Sequence, residues 1–456
     1  MFMITGDPFV DAGNAVIEEL KRVFKNKSII DLIDMVSDWF IHNWKGKLDS
    51  LQLNSNITNV HKRKRAKEET MNFFNDLHGK GNSSVSFGNC RICGKEEKLF
   101  RAGRDIYPLS GSGAFVNYHH CHEEGILICK DCIVKLFFLP LSVLQMGGNL
   151  ALLHLTNEKT INYWTEKVIK TNLNKLSQGI SDGILQSDFK NPKNALFNMA
   201  TDLIINFNCE RETLQLYYFT NYAAKPNCEI YILPSPVFSY LNKVLKSCKK
   251  DWYLFFNKHY KINKAEWDDI NEVWRDKKND EIDYKDYKDN KNEIVEKLLN
   301  GVNLVPTFRK FYRECFLKHK NVSTLMFDYY LKEVKNMNAE QIQLIKKLGN
   351  SIIEIAKKDD NNFKKYLTMI ESASKAFQLR AVIISLIKKH YLNGEKEPLI
   401  TLEEYVNYLF PDGTYWSEIR DILIIYLYEL LHKKNIEGIN VEEINFTEPE
   451  EELTEF

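Results

Sequence analysis

The sequence lacks a long apolar run of the kind that crosses a lipid bilayer. In this chain of 456 residues the most apolar stretch, from Ile133 to Met146, is interrupted by Lys135 and Pro140. It is shorter than the ~20 apolar residues that a spanning helix requires. The N-terminal sequence MFMITGDPFVDAG lacks the basic and apolar segments of a signal peptide, and its acidic residues argue against a transit peptide. We therefore expect no membrane segment and a cytoplasmic location.

An excess of either charge is also missing, since 62 Lys and Arg residues balance 62 Asp and Glu residues. Overall charge therefore predicts neither nucleic-acid binding nor an acidic ligand, and only local clusters are informative. The nine cysteines lack the pattern of a disulfide framework, because their number is odd and Cys209, Cys228, Cys248 and Cys315 are scattered singly. This usage is typical of a reducing compartment.

Familiar catalytic motifs are absent as well. The sequence has no G-x-G-x-x-G, G-x-S-x-G or H-E-x-x-H motif, and GDPFVDAG is not followed by the G-K-[ST] of a phosphate loop. The scattered cysteines have no histidine partner that the sequence identifies. We therefore expect a protein that is not an enzyme.

What the sequence does contain is a pair of C-x-x-C motifs, Cys90/Cys93 and Cys129/Cys132. Each motif places two thiolates on one side of a metal, and two such motifs complete a tetrahedron. The spacing predicts one structural zinc ion, in a closed site with no open position for catalysis. Four unrelated buried thiols are the alternative. The neighbouring cluster of His119, His120, Cys121 and His122 could also replace one of the four ligands, although its tight packing in sequence favours loop residues.

The same histidines suggest one enzymatic alternative. HNH nucleases combine two C-x-x-C knuckles with an intervening histidine base and a catalytic divalent metal. In that family an Asn and a Lys typically follow the second knuckle, whereas here Cys132 leads into the apolar segment IVKLF. An HNH-like, metal-dependent nuclease is therefore the second hypothesis.

Hydrophobic periodicity predicts an α+β N-terminal region with an inserted zinc-knuckle module, followed by an all-α C-terminal bundle. The mixed domain spans residues 1–250, with the knuckle at about 88–135; a charged insertion or linker follows at 251–300, and helices occupy 301–456. A helix should end near Phe24, with Asp11 as a candidate N-cap, and two strands and a helix should lie within 211–240. Asn338 and Thr401 each begin a capping-box pattern.

Two basic clusters are candidate phosphate contacts. Lys62, Arg63, Lys64 and Arg65 lie in the run HKRKRAK, and Lys346 and Lys347 belong to a lysine-rich stretch between residues 340 and 390. Such density can neutralise several phosphates without reading base sequence. An ordinary solvated surface explains the first cluster equally well, and it explains the second cluster slightly better when that cluster is taken alone.

The order of several phrases resembles the large subunit of type I-B CRISPR Cascade, in its Cst-type branch. The phrases are TGDPFVDAG at residues 5–13, the two C-x-x-C motifs, GSGAFVNYHH before the second motif, YYFTN with IYILPSPVF, and the helical end ITLEEYVNYLFPDGTYWSEIRDILIIYLYELL. One departure is Cys121, which stands where that family commonly has glycine.

The resemblance implies a non-catalytic subunit of an RNA-guided DNA surveillance complex. Such a subunit recognises the protospacer-adjacent motif in double-stranded DNA, assists duplex opening and presents the target to a helicase-nuclease. Its partners would be CRISPR RNA, double-stranded target DNA, the other Cascade subunits and the helicase-nuclease, and its C-terminal bundle would resemble the Cascade small subunit. Loop position and hydrogen-bonding capacity make Ser112, Asn117 and Tyr118 candidates for reading the motif.

Overall fold

The computed structural model describes residues 4–79, 84–110, 125–221, 226–359, 362–410 and 416–433. The chain divides into two compact units. The N-terminal unit comprises Met1–Phe238 and Ile282–Lys291, and the C-terminal unit comprises Ser239–Glu281 and Asn292–Phe456. The chain therefore passes from one unit to the other more than once.

The N-terminal unit mixes helices with two sheets. Its helices are α1 (Pro8–Val23), α2 (Ile29–Asp38), α3 (Ala66–His78), α4 (Lys130–Phe138), α5 (Glu158–Trp164), α6 (Lys170–Ser177) and α7 (Pro192–Phe207). Its strands are β1 (Ser86–Asn89), β2 (Glu96–Ala102), β3 (Ile126–Cys129), β4 (Leu144–Met146), β5 (Asn149–Leu153), β6 (Leu185–Gln186), β7 (Leu214–Thr220) and β8 (Asn227–Leu233). Short 3₁₀ helices cover Val60–Arg65 and Leu139–Ser142, and π-helical turns cover Trp39–Asn43 and Thr165–Ile169.

Strand pairing places the sequence around the two C-x-x-C motifs in a small sheet of its own, apart from the main sheet. The small sheet has the order β1-β2-β3 and is antiparallel throughout. The larger sheet has the order β6-β4-β5-β7-β8, in which only the β4–β6 pair is parallel. The predicted strands in 211–240 are confirmed as β7 and β8, and the predicted helix follows them.

Helix α1 connects the N-terminal sequence phrase to the helix that follows the second C-x-x-C motif. It packs against α4 and the adjoining 3₁₀ turn, and Val10, Val16 and Leu20 are fully buried. A Cβ atom at Gly13 would overlap the carbonyl oxygen of Lys135 on α4. Glycine at this position therefore lets the two helices approach closely.

The C-terminal unit is mainly helical. The division from the N-terminal unit falls inside α8 (Ser235–Ser247), and a short helix, α10 (Tyr284–Tyr287), belongs to the N-terminal unit. The other helices are α9 (Lys249–Lys258), α11 (Glu293–Leu299), α12 (Val305–Leu317), α13 (Leu325–Glu333), α14 (Ala339–Lys358), α15 (Phe363–Glu371), α16 (Ala376–Leu392), α17 (Leu402–Glu404) and α18 (Trp416–Lys433), with a π-helical turn at Tyr405–Leu409. Helix α18 packs against α12, α14, α15 and α16.

The mixed N-terminal region and the helical C-terminal region are confirmed, but the tract 251–300 differs from the predicted insertion or linker. It contains helices and an antiparallel hairpin of β9 (Ala265–Asp268) and β10 (Val273–Asp276). Trp252, Phe255 and Trp274 are buried despite the charged residues around them. These three residues belong to the C-terminal unit, and only Ile282–Lys291 of the tract joins the N-terminal one.

None of the helices in the described ranges combines the length and apolar character needed to cross a membrane.

Candidate metal centre and neighbouring surface

The four cysteines of the two C-x-x-C motifs come together in one cluster. The Sγ atoms of Cys90, Cys93, Cys129 and Cys132 all lie within 4.8 Å of one another. Cys90 and Cys132 are 3.8 Å apart at sulfur, and Cys93 and Cys129 are 3.6 Å apart. Since zinc binds thiolates at ~2.3 Å, sulfurs at the corners of a tetrahedral site are separated by ~3.8 Å. The cluster therefore fits a four-coordinate metal, and zinc suits an all-thiolate donor set.

Local backbone geometry builds the first half of the site directly after β1. The N–H of Gly94 donates to the carbonyl of Cys90 at 2.9 Å, and the N–H of Cys90 donates to the carbonyl of Lys95 at 2.8 Å. Gly94 has a positive φ of 72°, which glycine adopts readily. These bonds form a tight turn that points Cys90 and Cys93 in the same direction.

The second half lies where β3 meets α4. Cys129 ends β3 and is the N-cap of α4, and Cys132 lies in the first helical turn. The backbone N–H of Cys129 donates to the Cys90 sulfur at 3.3 Å, and Lys95 pairs with Asp131 at 3.2 Å between the two motifs. A helix N-terminus favours negative charge, so this position suits a thiolate.

Hydrogen bonds among the four thiols shift their ionisation in opposite directions. Those with Cys129 and then Cys132 lower the pKa of Cys90. Those with Cys129 and Cys90 raise the pKa of Cys132, and burial raises it further. Metal binding requires all four sulfurs as thiolates. Cys90, Cys93, Cys129 and Cys132 would hold the ion, whose chemistry is to stabilise folding rather than to activate water.

A second set of contacts holds the chain just before residue 111. Asn221 is fully buried; its Oδ1 accepts from the Leu109 N–H and from Arg104 Nε, each at 3.2 Å. Its Nδ2 donates to the carbonyls of Leu51 and Arg104 at 2.9 and 3.0 Å. On the other side, β3 follows residue 125 and leads to Cys129. Asn221 therefore holds the chain just before residue 111, and the chain from residue 125 leads through β3 to the four-cysteine cluster. Sequence reasoning missed Asn221, because its partners lie far away along the chain.

The phrase TGDPFVDAG has a structural explanation. Asp7, and not the predicted Asp11, is the N-cap of α1, since its side chain accepts from the Val10 N–H at 2.8 Å. Asp11 lies inside the helix and accepts from the N–H groups of Thr5 and Gly6 at 2.8 and 3.0 Å. Tyr107 donates its hydroxyl to Asp7 at 2.5 Å. Asp7 thus links the start of α1 to the segment that contains Tyr107, and Asp11 holds the residues that precede the helix.

The ionisation of Asp7 yields a pH prediction. Burial raises the pKa of Asp7, the hydrogen bond from Tyr107 opposes this, and the charge of Asp11 adds to it. An acid whose pKa is raised on folding contributes stability that is present at acidic pH and lost as the pH rises through its folded pKa. Asn caps helices as well as Asp does. As the pH rises from acidic to neutral, the unfolding free energy of the wild type should therefore fall relative to that of Asp7→Asn, as measured in urea titrations. A pH-independent difference would contradict this assignment.

The first basic cluster lies on the 3₁₀ helix Val60–Arg65, which leads into α3. Lys62 donates to Asn56 Oδ1 at 2.9 Å and pairs with Glu69 at 3.3 Å. Lys64 and Arg65 are exposed, and the side chain of Arg63 lies outside the described part of the structure. Lys64 and Arg65 are therefore better placed than Lys62 to meet a phosphate.

The two lysines predicted on α14 have different surroundings. Lys346 forms an ion pair with Asp328, and its ammonium lies 4.8 Å from the ring centroid of Tyr426. Tyr426 also donates to Asp328 at 2.5 Å. Lys347 is exposed. The charge of Lys346 is thus neutralised within its own unit, whereas Lys347 remains a candidate phosphate contact.

This difference predicts that substitutions of the two neighbouring lysines change the unfolding free energy by different amounts. Lys346→Ala leaves Asp328, whose side chain is only 13% exposed, without its cation, and should lower the unfolding free energy by roughly 1–3 kcal/mol. Lys347→Ala should change it by less than about 0.5 kcal/mol. Denaturant unfolding of both variants checks this. Equal losses of unfolding free energy in the two variants would show that the Lys346–Asp328 ion pair does not stabilise the fold.

The remaining predicted residues cannot be placed. Ser112, Asn117, Tyr118, His119, His120, Cys121 and His122 lie outside the described residues. Within the described residues the metal-binding group consists of the four C-x-x-C cysteines.

Comparison with protein-family models, curated proteins and solved structures finds no match to this chain.

Proposed function

We propose that this chain is a non-catalytic, DNA-binding large subunit of a type I-B CRISPR RNA-guided surveillance complex. The resemblance of its sequence phrases to the Cst-type large subunits is the first support. The observation that carries the proposal is that the described chain is held on both sides of residues 111–124, by Asn221 at Leu109 and by the four-cysteine cluster after β3. Closed metal sites are typical of loop placement and folding rather than catalysis.

In this function residues 111–124 meet the protospacer-adjacent motif. Ser112, Asn117 and Tyr118 can donate to or accept from base edges, which is how a short duplex motif is read. The exposed Lys64 and Arg65 contact phosphates and add affinity without sequence preference. Guide pairing supplies the remaining specificity, as in other RNA-guided effectors.

The proposed partners follow from the same role. They are CRISPR RNA, double-stranded target DNA, the other Cascade subunits and the helicase-nuclease that receives the opened target, all in the cytoplasm. The helical C-terminal unit would correspond to a small-subunit-like domain along the path of the separated strands. Lys347 is its candidate phosphate contact.

The salt dependence of binding tests the phosphate contacts. In the assembled complex, Lys64→Ala with Arg65→Ala should reduce the slope of log affinity against log salt by about 2, because each lost phosphate contact removes roughly one unit. Lys25→Ala with Lys27→Ala is a matched control, since both lysines are exposed and lie on a different segment. Unchanged affinity and slope in the first variant would exclude this surface from DNA binding.

A cleavage assay separates this proposal from the HNH-like alternative. The isolated chain with added Mg²⁺ or Mn²⁺ should leave duplex and single-stranded DNA intact. Cleavage that disappears in His119→Ala and His120→Ala would replace the scaffold proposal with nuclease activity.

A further inference from the structure

A small cavity lies in the N-terminal unit where three of the features described above meet. It has a volume of about 80 Å³, which is room for several waters when each needs roughly 10–15 Å³ on this measure. Its floor is formed by buried residues: Gln52, Ile57, Thr70, Phe74, Ile133 and Phe137. Its rim is formed by more accessible ones: Ser55, Asn56, Phe73, Asp105 and Ile106. Aromatic and aliphatic side chains therefore dominate the floor, and the rim adds the polar side chains of Ser55, Asn56 and Asp105.

Three parts of the lining lie beside residues that the four-cysteine cluster or the proposed function involves. Ile133 follows the metal-binding Cys132 on α4. Asp105 and Ile106 lie between Arg104 and Leu109, which Asn221 holds. The rim residue Asn56 accepts from Lys62, which belongs to the basic 3₁₀ helix.

The chemistry of the lining suits a flat ring that carries hydrogen-bond donors. Phe73 and Phe74 are 5.1 Å apart at their ring centroids, and Phe74 and Phe137 are 5.0 Å apart, both in edge-to-face arrangements. Phe73 is only partly buried, so its ring is accessible to a ligand at the rim. The neighbouring Asp105 offers carboxylate oxygens, which accept but do not donate when ionised. Aromatic side chains stack on bases, and carboxylates accept from exocyclic amino groups such as cytosine N4.

We propose that this cavity receives one unpaired base of a DNA strand whose phosphates follow the basic helix Val60–Arg65. The proposal rests on the proposed function, because it requires a nucleic-acid strand at this surface. The base enters edge first, with its ring against Phe73 and its amino group toward Asp105. Cytosine is therefore preferred to thymine, which has no exocyclic amino group.

Fluorescence anisotropy with the purified full-length chain tests the site. The probes are labelled single-stranded oligo-dC, oligo-dT and an abasic oligomer, each of about 12 nucleotides to cover a typical site. Wild type should bind oligo-dC several-fold more tightly than oligo-dT. Asp105→Asn should remove that preference, because an amide both donates and accepts.

Phe73→Ala should weaken both base-containing oligomers about fivefold, which corresponds to the lower end of the effect of one lost stacking contact, and should not affect the abasic oligomer. Ile106→Trp, which adds bulk at the rim, should have the same effect without removing a ring. Phe377→Ala is the matched control, since Phe377 is 64% exposed and lies in the other unit. Zinc content and thermal melting confirm that each variant is folded.

The failures of the two proposals are distinguishable. If all three oligomers bind equally and Phe73→Ala and Ile106→Trp have no effect, the base site is wrong while phosphate binding stands. If no oligomer binds, the base site is wrong too. If, in addition, the assembled complex keeps its salt slope in the Lys64→Ala with Arg65→Ala variant, DNA binding by this surface is wrong as well.

Discussion

Replacing Cys90 with serine should abolish stable metal binding and unfold much of the N-terminal unit. Cys90 contacts the Cys132 sulfur at 3.8 Å and accepts from the Cys129 N–H, so it joins the two halves of the site. The apparent binding free energy of structural zinc is about 10–16 kcal/mol, which exceeds the total stability of most domains. Zinc should fall from about one per chain to almost none, with loss of near-ultraviolet circular dichroism.

Cys228→Ser provides the matched control. Cys228 is a free, half-buried thiol on β8, outside the four-cysteine cluster. This variant should keep its zinc and its circular dichroism. Adding a strong chelator to the wild type should reproduce the Cys90→Ser result. A metal-free preparation with native circular dichroism and melting would contradict a structural metal.

Replacing Asp421 with alanine should produce the largest loss of stability in the C-terminal unit. Asp421 on α18 accepts from Arg309 on α12 at 2.9 Å and from Arg420 at 3.0 Å. The side chains of Arg309 and Asp421 are each 10% exposed. Removing one partner of a buried pair costs about 3–5 kcal/mol, because the other charge is left without compensation.

A double-mutant cycle separates the pair from the packing around it. Asp421→Asn keeps an acceptor and should lose less than Asp421→Ala. Arg309→Met with Asp421→Ala removes both charges and should lose less than the sum of the single variants. Denaturant unfolding measures all of these free energies. Additive losses would show that the two residues are not coupled.

The sequence was most informative where spacing along the chain determines geometry. Two C-x-x-C motifs predict four sulfurs in one cluster because each turn is local, and the cluster is present. Thr401 and Glu404 form the predicted capping box. Asn338 caps α14, but Gln341 donates to the Tyr408 carbonyl instead of completing a box. Gln341 therefore bonds to a residue distant in sequence instead of to the backbone of Asn338.

Contacts between distant residues could not be predicted in this way. In the sequence Lys346 looks like an ordinary surface lysine on a helix, yet its ammonium group contacts Asp328 and Tyr426. The charged tract 251–300 has the composition of a linker, yet it contributes buried tryptophans to a core. Asp289, near its end, accepts from the N–H groups of Lys190 and Asn191. These bonds hold the segment Ile282–Lys291 to the N-terminal unit, and no local pattern indicates them.

The most direct test of DNA recognition is crosslinking in the assembled complex. A duplex that contains the protospacer-adjacent motif and carries photoreactive bases within it is bound, irradiated and digested, and the modified peptides are identified. We expect crosslinks in residues 111–124 and near Lys64 and Arg65, and their loss when the metal is removed. A complex that binds the duplex tightly without any crosslink to this chain would contradict DNA recognition by this subunit.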